Sequence, residues 1–442
     1  MKFLMWILFF LAFSCDGPEG TNQDAGKDAG KDAGDDIDVI DIVDVSDITD
    51  AVDADGDVDP GHDPHQIAVS SMARAYGAYY PYIFYIELWD SSHNRVYVIN
   101  IETKQIELAQ NIPYLSASIM VPAPWENSVY YSAYSYPVGG FPSETPIDNY
   151  LFKLNIETLG ITDVTSLFTN VRSPECELNN GVAKIQSIDP ERGWYLFDCH
   201  YVVNSTSYKE LYRININTQE LQYVTDGVEV YFHTHGYTRP WHINRNYIVS
   251  TFSDRYENVY SGYKRHMVYD LSGDTPSVIW DGRSLAEANG SAGQVSSDNY
   301  FCEVRLGDNT YDVVCENLIS GDIITAPQWF AQKDSTKPVS TELPHLIGWT
   351  EGSGSVGEHN GWLQSVFLKD LYLWDKSSDV IRQVTWDRTA GYYGIPAMIP
   401  GDPEYRWILY CGPSSDYGIQ LYVKDLRASG IINAQGHLIP EK

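Results

Sequence analysis

Apolar and polar positions alternate in short runs along this chain, and one arrangement of them keeps returning: two alternating runs split by a polar turn. It reads VYVINIETKQIELA at Val96–Ala109, YLFKLNIETLGITDV at Tyr150–Val164 and ELYRININTQELQYV at Glu210–Val224. Looser copies begin at His266, Tyr311, Leu371 and Gln420. Period-two alternation bounded by turn residues predicts strand pairs. The turns fall near Thr103, Thr158, Thr218, Gly273, Gly321, Ser378 and Ala428, so successive copies lie 48 to 60 residues apart. A second strand pair precedes each phrase, as in Lys184–Ile188 with Trp194–Asp198, Trp241–Ile243 with Tyr247–Phe252, and Ile395–Ile399 with Trp407–Tyr410. Each unit therefore holds four strands, too few to bury its own apolar faces, and such units gain a core only by stacking on one another.

Seven four-stranded units over residues 65–442 predict an all-β, seven-bladed β-propeller, with six or eight blades as the alternative counts. The 33 Tyr and 12 Trp suit the half-buried faces of stacked sheets, so aromatic stripes here read first as core. Helical pattern is nearly absent, with one turn expected at Ser284–Asn289.

The N-terminal 64 residues have a different texture. Lys2 followed by the apolar run Phe3–Phe13 reads as an export signal, too short to span a bilayer, over residues 1–14. Ser14-Cys15 resembles the bacterial lipobox, which implies lipidation of Cys15 and a membrane-anchored lipoprotein of the periplasm or cell surface. Residues 15–64 then read as a disordered tether: Asp-Ala-Gly-Lys repeats, followed by Asp at every third position from 35 to 53. Period three fits neither helix nor strand, and the like charges resist collapse. A flexible coil of that length spans roughly 40 Å, with an extended limit near ~160 Å. The stretch Asp53–Asp59 resembles part of a calcium loop. Its Gly56 comes two positions too early and no closing Glu follows, so it reads as a solvated acidic run.

Acidic residues outnumber basic ones by 60 to 29, and residues 16–65 carry 17 of the acids against Lys27 and Lys31. That balance argues against a nucleic-acid partner. In an exported chain the cysteines are expected to pair. Cys302 and Cys315 flank the turn at Asp308-Asn309 symmetrically and would face each other across a hairpin; Cys176 and Cys199 are the second pair, leaving Cys411 as a buried thiol.

Catalytic signatures are missing from the sequence: it holds no Gly-x-Ser-x-Gly elbow, His-Glu-x-x-His or phosphate loop. With the chain ending a few residues past the last unit, no hydrolase domain is expected to follow. The one suggestive cluster runs from Phe232 through His233, His235, Arg239 and Trp241 to His242. His-x-His on an extended segment points both imidazoles to one side, where they could share a metal; the plainer alternative is histidines hydrogen-bonded at a loop rim. The segment is expected to link the third and fourth units, a connection that lines the mouth of the central channel. Equivalent connections carry Tyr114, Asn179, Asn180, Asn289, Tyr392 and Tyr393, together a polar and aromatic funnel for a ligand.

The alternation ELYRINI, tight turn, QLQYV resembles the propeller repeats of TolB-like and related WD40-like proteins, most closely at Ser187–Gly227 and Tyr393–Ile432. Such repeats occur in periplasmic interaction modules, in lyases acting on acidic sugars and in the non-catalytic halves of peptidases, so the resemblance implies a fold and not one function. The lyase branch holds a divalent metal with propeller histidines. His233 and His235 could match such a pair, but no third histidine stands at an evident corresponding place: His200 falls in the same unit, and His345 and His359 lie in irregular stretches. The leading expectation is a monomeric, cofactor-free binding or scaffolding module for an envelope protein or glycan. The alternative is a metal-dependent uronate lyase or hydrolase at the channel mouth.

Overall fold

The computed structural model describes residues 66–441 apart from 71–72, 89–92, 114, 136–147, 204–205, 229, 234–245, 254–262, 286–294, 307–310, 328–338, 341–342, 352–356, 360–361, 365–369, 386–396 and 414–418. These residues build seven antiparallel sheets in chain order, over residues 73–113, 115–163, 182–228, 230–285, 300–325, 339–383 and 397–425. A small extra hairpin, Gly357–His359 with Trp362–Gln364, is inserted in the sixth. The recurring phrase supplies the third strand of six sheets and the middle strand of the fifth, which has three strands among the described residues.

Alternation explains how the sheets assemble. Successive side chains on a strand point to opposite faces, and here both faces are covered. On the strand Tyr82–Leu88, Ile83 and Tyr85 pack with Leu409, Leu421 and Val423 of the seventh sheet. Phe84 and Ile86 of the same strand pack with Met120, Val129 and Tyr131 of the second. The same division recurs at every step. Val121 and Leu151 of the second sheet meet Ile185 and Phe197 of the third, and Leu196 and Leu211 meet Ile248 and Tyr269 of the fourth. Val249 and Val268 meet Phe301 of the fifth, Cys302 and Val313 meet Ile347 and Trp374 of the sixth, and Leu346 and Leu373 meet Ile408 and Tyr410 of the seventh. Seven buried seams among the described residues, the last returning to the first sheet, make a closed β-propeller.

The ring closes through its N-terminus. The strand Gln66–Ser70 is the outermost strand of the seventh sheet, paired antiparallel with Ile419–Asp425. This corrects the seventh phrase, whose second half is not a strand. Gly430, at φ 67°, turns the chain away. Ile431, Ile432 and Leu438 then bury themselves with Leu343, Leu346 and Met398 between the sixth and seventh sheets. At the closing seam Arg406 of the seventh sheet meets the Glu102 carboxylate of the first at 2.6 Å, and the Tyr80 hydroxyl donates to that carboxylate at 3.0 Å.

The turn in the recurring phrase has a physical reason. An Asn or Asp ends the first strand of each recurring phrase and accepts backbone N–H groups two or three residues on, as at Asn100, Asn155, Asn215, Asp270, Asn317, Asp375 and Asp425. This side-chain bond mimics a backbone turn and lets the outer strand reverse. The next residue donates its N–H to the carbonyl just before the neighbouring upstream strand. Ile101 bonds Pro81, Ile156 bonds Asn127, Ile216 bonds Gly193, Leu271 bonds Asn246, Leu318 bonds Asn299, Lys376 bonds His345 and Leu426 bonds Arg406, all at 2.6–2.9 Å.

Two local expectations are also corrected. The inner strand of the fourth sheet is Val230–His233, paired with Tyr247–Ser253, and residues 241–243 lie outside the described residues. Its run VYFH is apolar and β-branched enough to enter the ladder immediately after the outer strand of the third sheet ends at Val228. Ser284 belongs to the strand Ser277–Leu285, not to a helical turn. The helix that does form, Pro174–Leu178, is capped by Ser173, whose side chain accepts the Cys176 N–H, with Pro174 in its first turn.

Candidate functional site

The structure places the sequence-derived site residues unevenly. His233 ends the inner strand of the fourth sheet, opposite Val249. His235, Arg239, Trp241, Asn289, Tyr392, Tyr393 and Tyr114 lie outside the described residues, as does Cys15. Asn179 follows the helix Pro174–Leu178, and its side-chain amide donates to the Glu175 carbonyl at 2.8 Å, so it closes the helix instead of facing a ligand. Cys302 and Cys315 are register partners joined by a disulfide at 2.05 Å. A second disulfide joins Cys176 of the short helix to Cys199 of the third sheet. The backbone of Cys411 lies in the strand Trp407–Pro413.

A charged cluster that sequence reading missed lies on the third sheet. On the strand Trp194–Val203, Tyr195, Phe197 and Cys199 turn toward the second sheet, and Leu196 turns toward the fourth. Alternation puts Asp198 and His200 on the fourth-sheet side as well. In register, Lys184 and Leu211 flank Asp198, and Val182 and Lys209 flank His200; Val182 packs against Tyr134 of the second sheet. One face therefore changes along its length from leucine to charge.

Burial and neighbouring charge set the protonation of this cluster. Burial raises the Asp198 carboxyl, against the opposing pull of Lys184 and Lys209. Burial lowers the Lys209 ammonium, with Asp198 pulling it back up and Lys184 pushing it further down. His200 is held down to about 3 by burial and then by Lys209 and Lys184. It is a neutral imidazole at every physiological pH. Lys184 also reaches over the Tyr134 ring, 5.7 Å from its centroid. Lys184, Asp198, His200 and Lys209 thus form a buried, electrostatically coupled cluster among the described residues. The signal in the sequence is the pair of charged residues that interrupt buried strands, Lys184 and Asp198, and it is invisible until register puts them opposite each other.

A second cluster lies at the polar turn of the sixth sheet. Asp375 is fully buried; its Oδ1 accepts the Ser377 N–H at 2.9 Å and the Ser377 hydroxyl at 2.5 Å. Its Oδ2 is 2.9 Å from His437 Nδ1, and the His437 ring stacks on His345 with centroids 4.4 Å apart. His345 Nε2 sits 3.2 Å from the Gly436 carbonyl. Burial pushes the Asp375 carboxyl up, but the Ser377 and His437 hydrogen bonds outweigh it and hold the group below the usual carboxylate range. His345, Asp375 and His437 offer ligand atoms all within 4.8 Å of one another.

No protein-family model matches the chain, and no curated protein matches it. Among solved structures it is similar to an oligogalacturonate lyase from Vibrio parahaemolyticus, at 13% identity and TM-score 0.49 over 81% of this chain and 91% of that one. It is also similar to the β-propeller domain of the Trilobed protease from Pyrococcus furiosus, at 10% identity and TM-score 0.47 over 80% and 95%. TolB from Acinetobacter baumannii gives 13% identity and TM-score 0.37 over 71% and 63%.

Proposed function

We propose that this chain is an exported, lipid-anchored β-propeller that acts as a non-catalytic binding module for an envelope protein or glycan. The observation that carries the reading is the way the ring closes. The strand Gln66–Ser70, which directly follows the acidic segment, forms the rim of the seventh sheet. A rigid body is thereby displayed from its edge at the end of a self-repelling tether, an arrangement suited to reaching a partner away from the membrane. The Cys176–Cys199 and Cys302–Cys315 disulfides support export, since such bonds persist in oxidising compartments. The Lys184, Asp198, His200 and Lys209 cluster marks the third sheet as a candidate contact for a polar ligand.

The test pairs binding with turnover. Purified chain is screened against an acidic-glycan array and a solubilised envelope fraction, beside a Lys184→Met, Lys209→Met variant matched for melting temperature. The reading expects saturable binding that the variant loses and no product from polyuronates or peptides. Turnover abolished by one substitution at His233 or His235 overturns it in favour of an enzyme.

A further inference from the structure

The sevenfold turn gives an internal standard against which one copy stands out. In every sheet the residue after the turn Asn or Asp donates its N–H to the carbonyl of the residue preceding the neighbouring upstream strand. Six of those residues are Pro81, Asn127, Gly193, Asn246, Asn299 and Arg406; the seventh is His345. In that same copy the C-terminal tail brings His437 against Asp375. Two imidazoles and a buried carboxylate thus meet at a position whose six structural equivalents carry no histidine.

We propose that His345, Asp375 and His437 form a binding site for one divalent transition metal ion of the zinc class, which clamps the C-terminal tail to the sixth sheet. Imidazole nitrogen with carboxylate oxygen is a donor set for zinc, nickel or copper, whereas calcium and magnesium take oxygen alone. A tetrahedral ion about 2.1 Å from each ligand sets them about 3.4 Å apart. Asp375 Oδ2 and His437 Nδ1, at 2.9 Å, are already closer than that, and the whole set lies within 4.8 Å. Loading therefore requires a closing movement of at most about 1.4 Å, the difference between that spread and the tetrahedral spacing. Half-buried His345 supplies it by swinging out of its stack on His437 and releasing the Gly436 carbonyl.

The surroundings suit a clamp. The Ser377 N–H and hydroxyl hold Asp375 Oδ1, which leaves Oδ2 aimed at the site and fixes the carboxylate as outer-shell partners of metal ligands do. Ser377 Oγ, 3.4 Å from His437 Nδ1, or a water fills the fourth position. The three ligands come from the residue before one strand of the sixth sheet, the last residue of the strand paired with it and the tail, so the ion joins segments distant in sequence. It reinforces the anchors already present, where Arg382 donates to the Ile439 carbonyl at 2.9 Å and Leu438 is buried.

The experiment titrates zinc chloride into full-length chain free of any polyhistidine tag, followed by calorimetry and by thermal melting. Cobalt(II) serves as a spectroscopic substitute. The proposal expects one ion per chain, a four-coordinate cobalt spectrum and a raised melting temperature, with no such rise from calcium. His437→Ala and His345→Ala should each weaken binding about 100-fold or more, since losing even an outer-shell partner of a ligand costs about 10–100-fold. If His437→Ala fails to fold, His437→Asn, which keeps a hydrogen bond to Asp375, carries the comparison. A Glu107→Ala variant, at an exposed position of the first sheet, should bind unchanged. Failure to retain an ion, equal affinity in the His437 variants, or loss of the ion in the Glu107 variant overturns the proposal.

Discussion

Replacing Phe197 with alanine tests whether the seven sheets behave as one body. Phe197 is fully buried in the seam between the second and third sheets. It stacks on Tyr212 at 5.9 Å and meets Phe168 edge-on at 5.8 Å. Truncating a buried phenylalanine costs about 3–5 kcal/mol. The unfolding entropy near the midpoint is about 2.1 cal/mol/K per residue, or ~0.8 kcal/mol/K for a ring of about 380 residues. A loss of about 4 kcal/mol then lowers the melting temperature of the whole ring by only ~5 °C. One sheet of about 54 residues melting alone has an unfolding entropy near ~0.11 kcal/mol/K, and the same loss would drop its midpoint by more than ~30 °C. Differential scanning calorimetry separates the cases. A single peak displaced by about 5 °C is expected, because every sheet shares both faces with neighbours. A low-temperature peak splitting from an unmoved one would refute that coupling.

Two further outcomes follow from individual groups. Removing the Cys302–Cys315 bridge, which closes a loop of separation 13, by paired substitution to alanine should cost about 3 kcal/mol. The variant's melting temperature should also lose the part of the dithiothreitol sensitivity that this bridge gives the parent, and equal sensitivity in both would contradict the assignment. His200, held down to about 3, should show no imidazole titration by NMR between pH 8 and 5. Its folded pKa lies below the unfolded value, so as pH falls through about 6.5 the unfolded chain takes up the proton first. Stability should therefore decline from there toward pH 3, and His200→Gln should flatten that slope; a midpoint near 6.5 in the folded chain would contradict the buried placement.

The fold was legible because propeller sheets are local. Each four-stranded unit is contiguous in sequence, and strands such as Tyr82–Leu88 alternate between two seams in a pattern the residues display openly. The polar turn could be read as Asn-Ile-Glu-Thr at Asn100 and Asn155, although its acceptor role emerges only from the bonds to residues 102–103 and 157–158. The closing strand was not legible. Gln66–Ser70 pairs with Ile419–Asp425 across nearly the whole chain, and no short-range pattern encodes such a contact. The candidate sites were harder still. Lys184 and Asp198 look like ordinary strand residues until register sets them opposite each other. His345, Asp375 and His437 are separated by 30 and 62 residues, a spacing that matches no ligand motif.

Ring closure by the N-terminal strand is most directly measured by hydrogen–deuterium exchange on two truncations, one lacking residues 15–64 and one lacking 15–71. The first should protect the peptide covering Ile419–Asp425 as fully as the parent does. The second should lose that protection and the outer rung of the seventh sheet with it. Equal protection in both truncations would mean that the ring closes without Gln66–Ser70, and the account of how this chain holds itself together would fail.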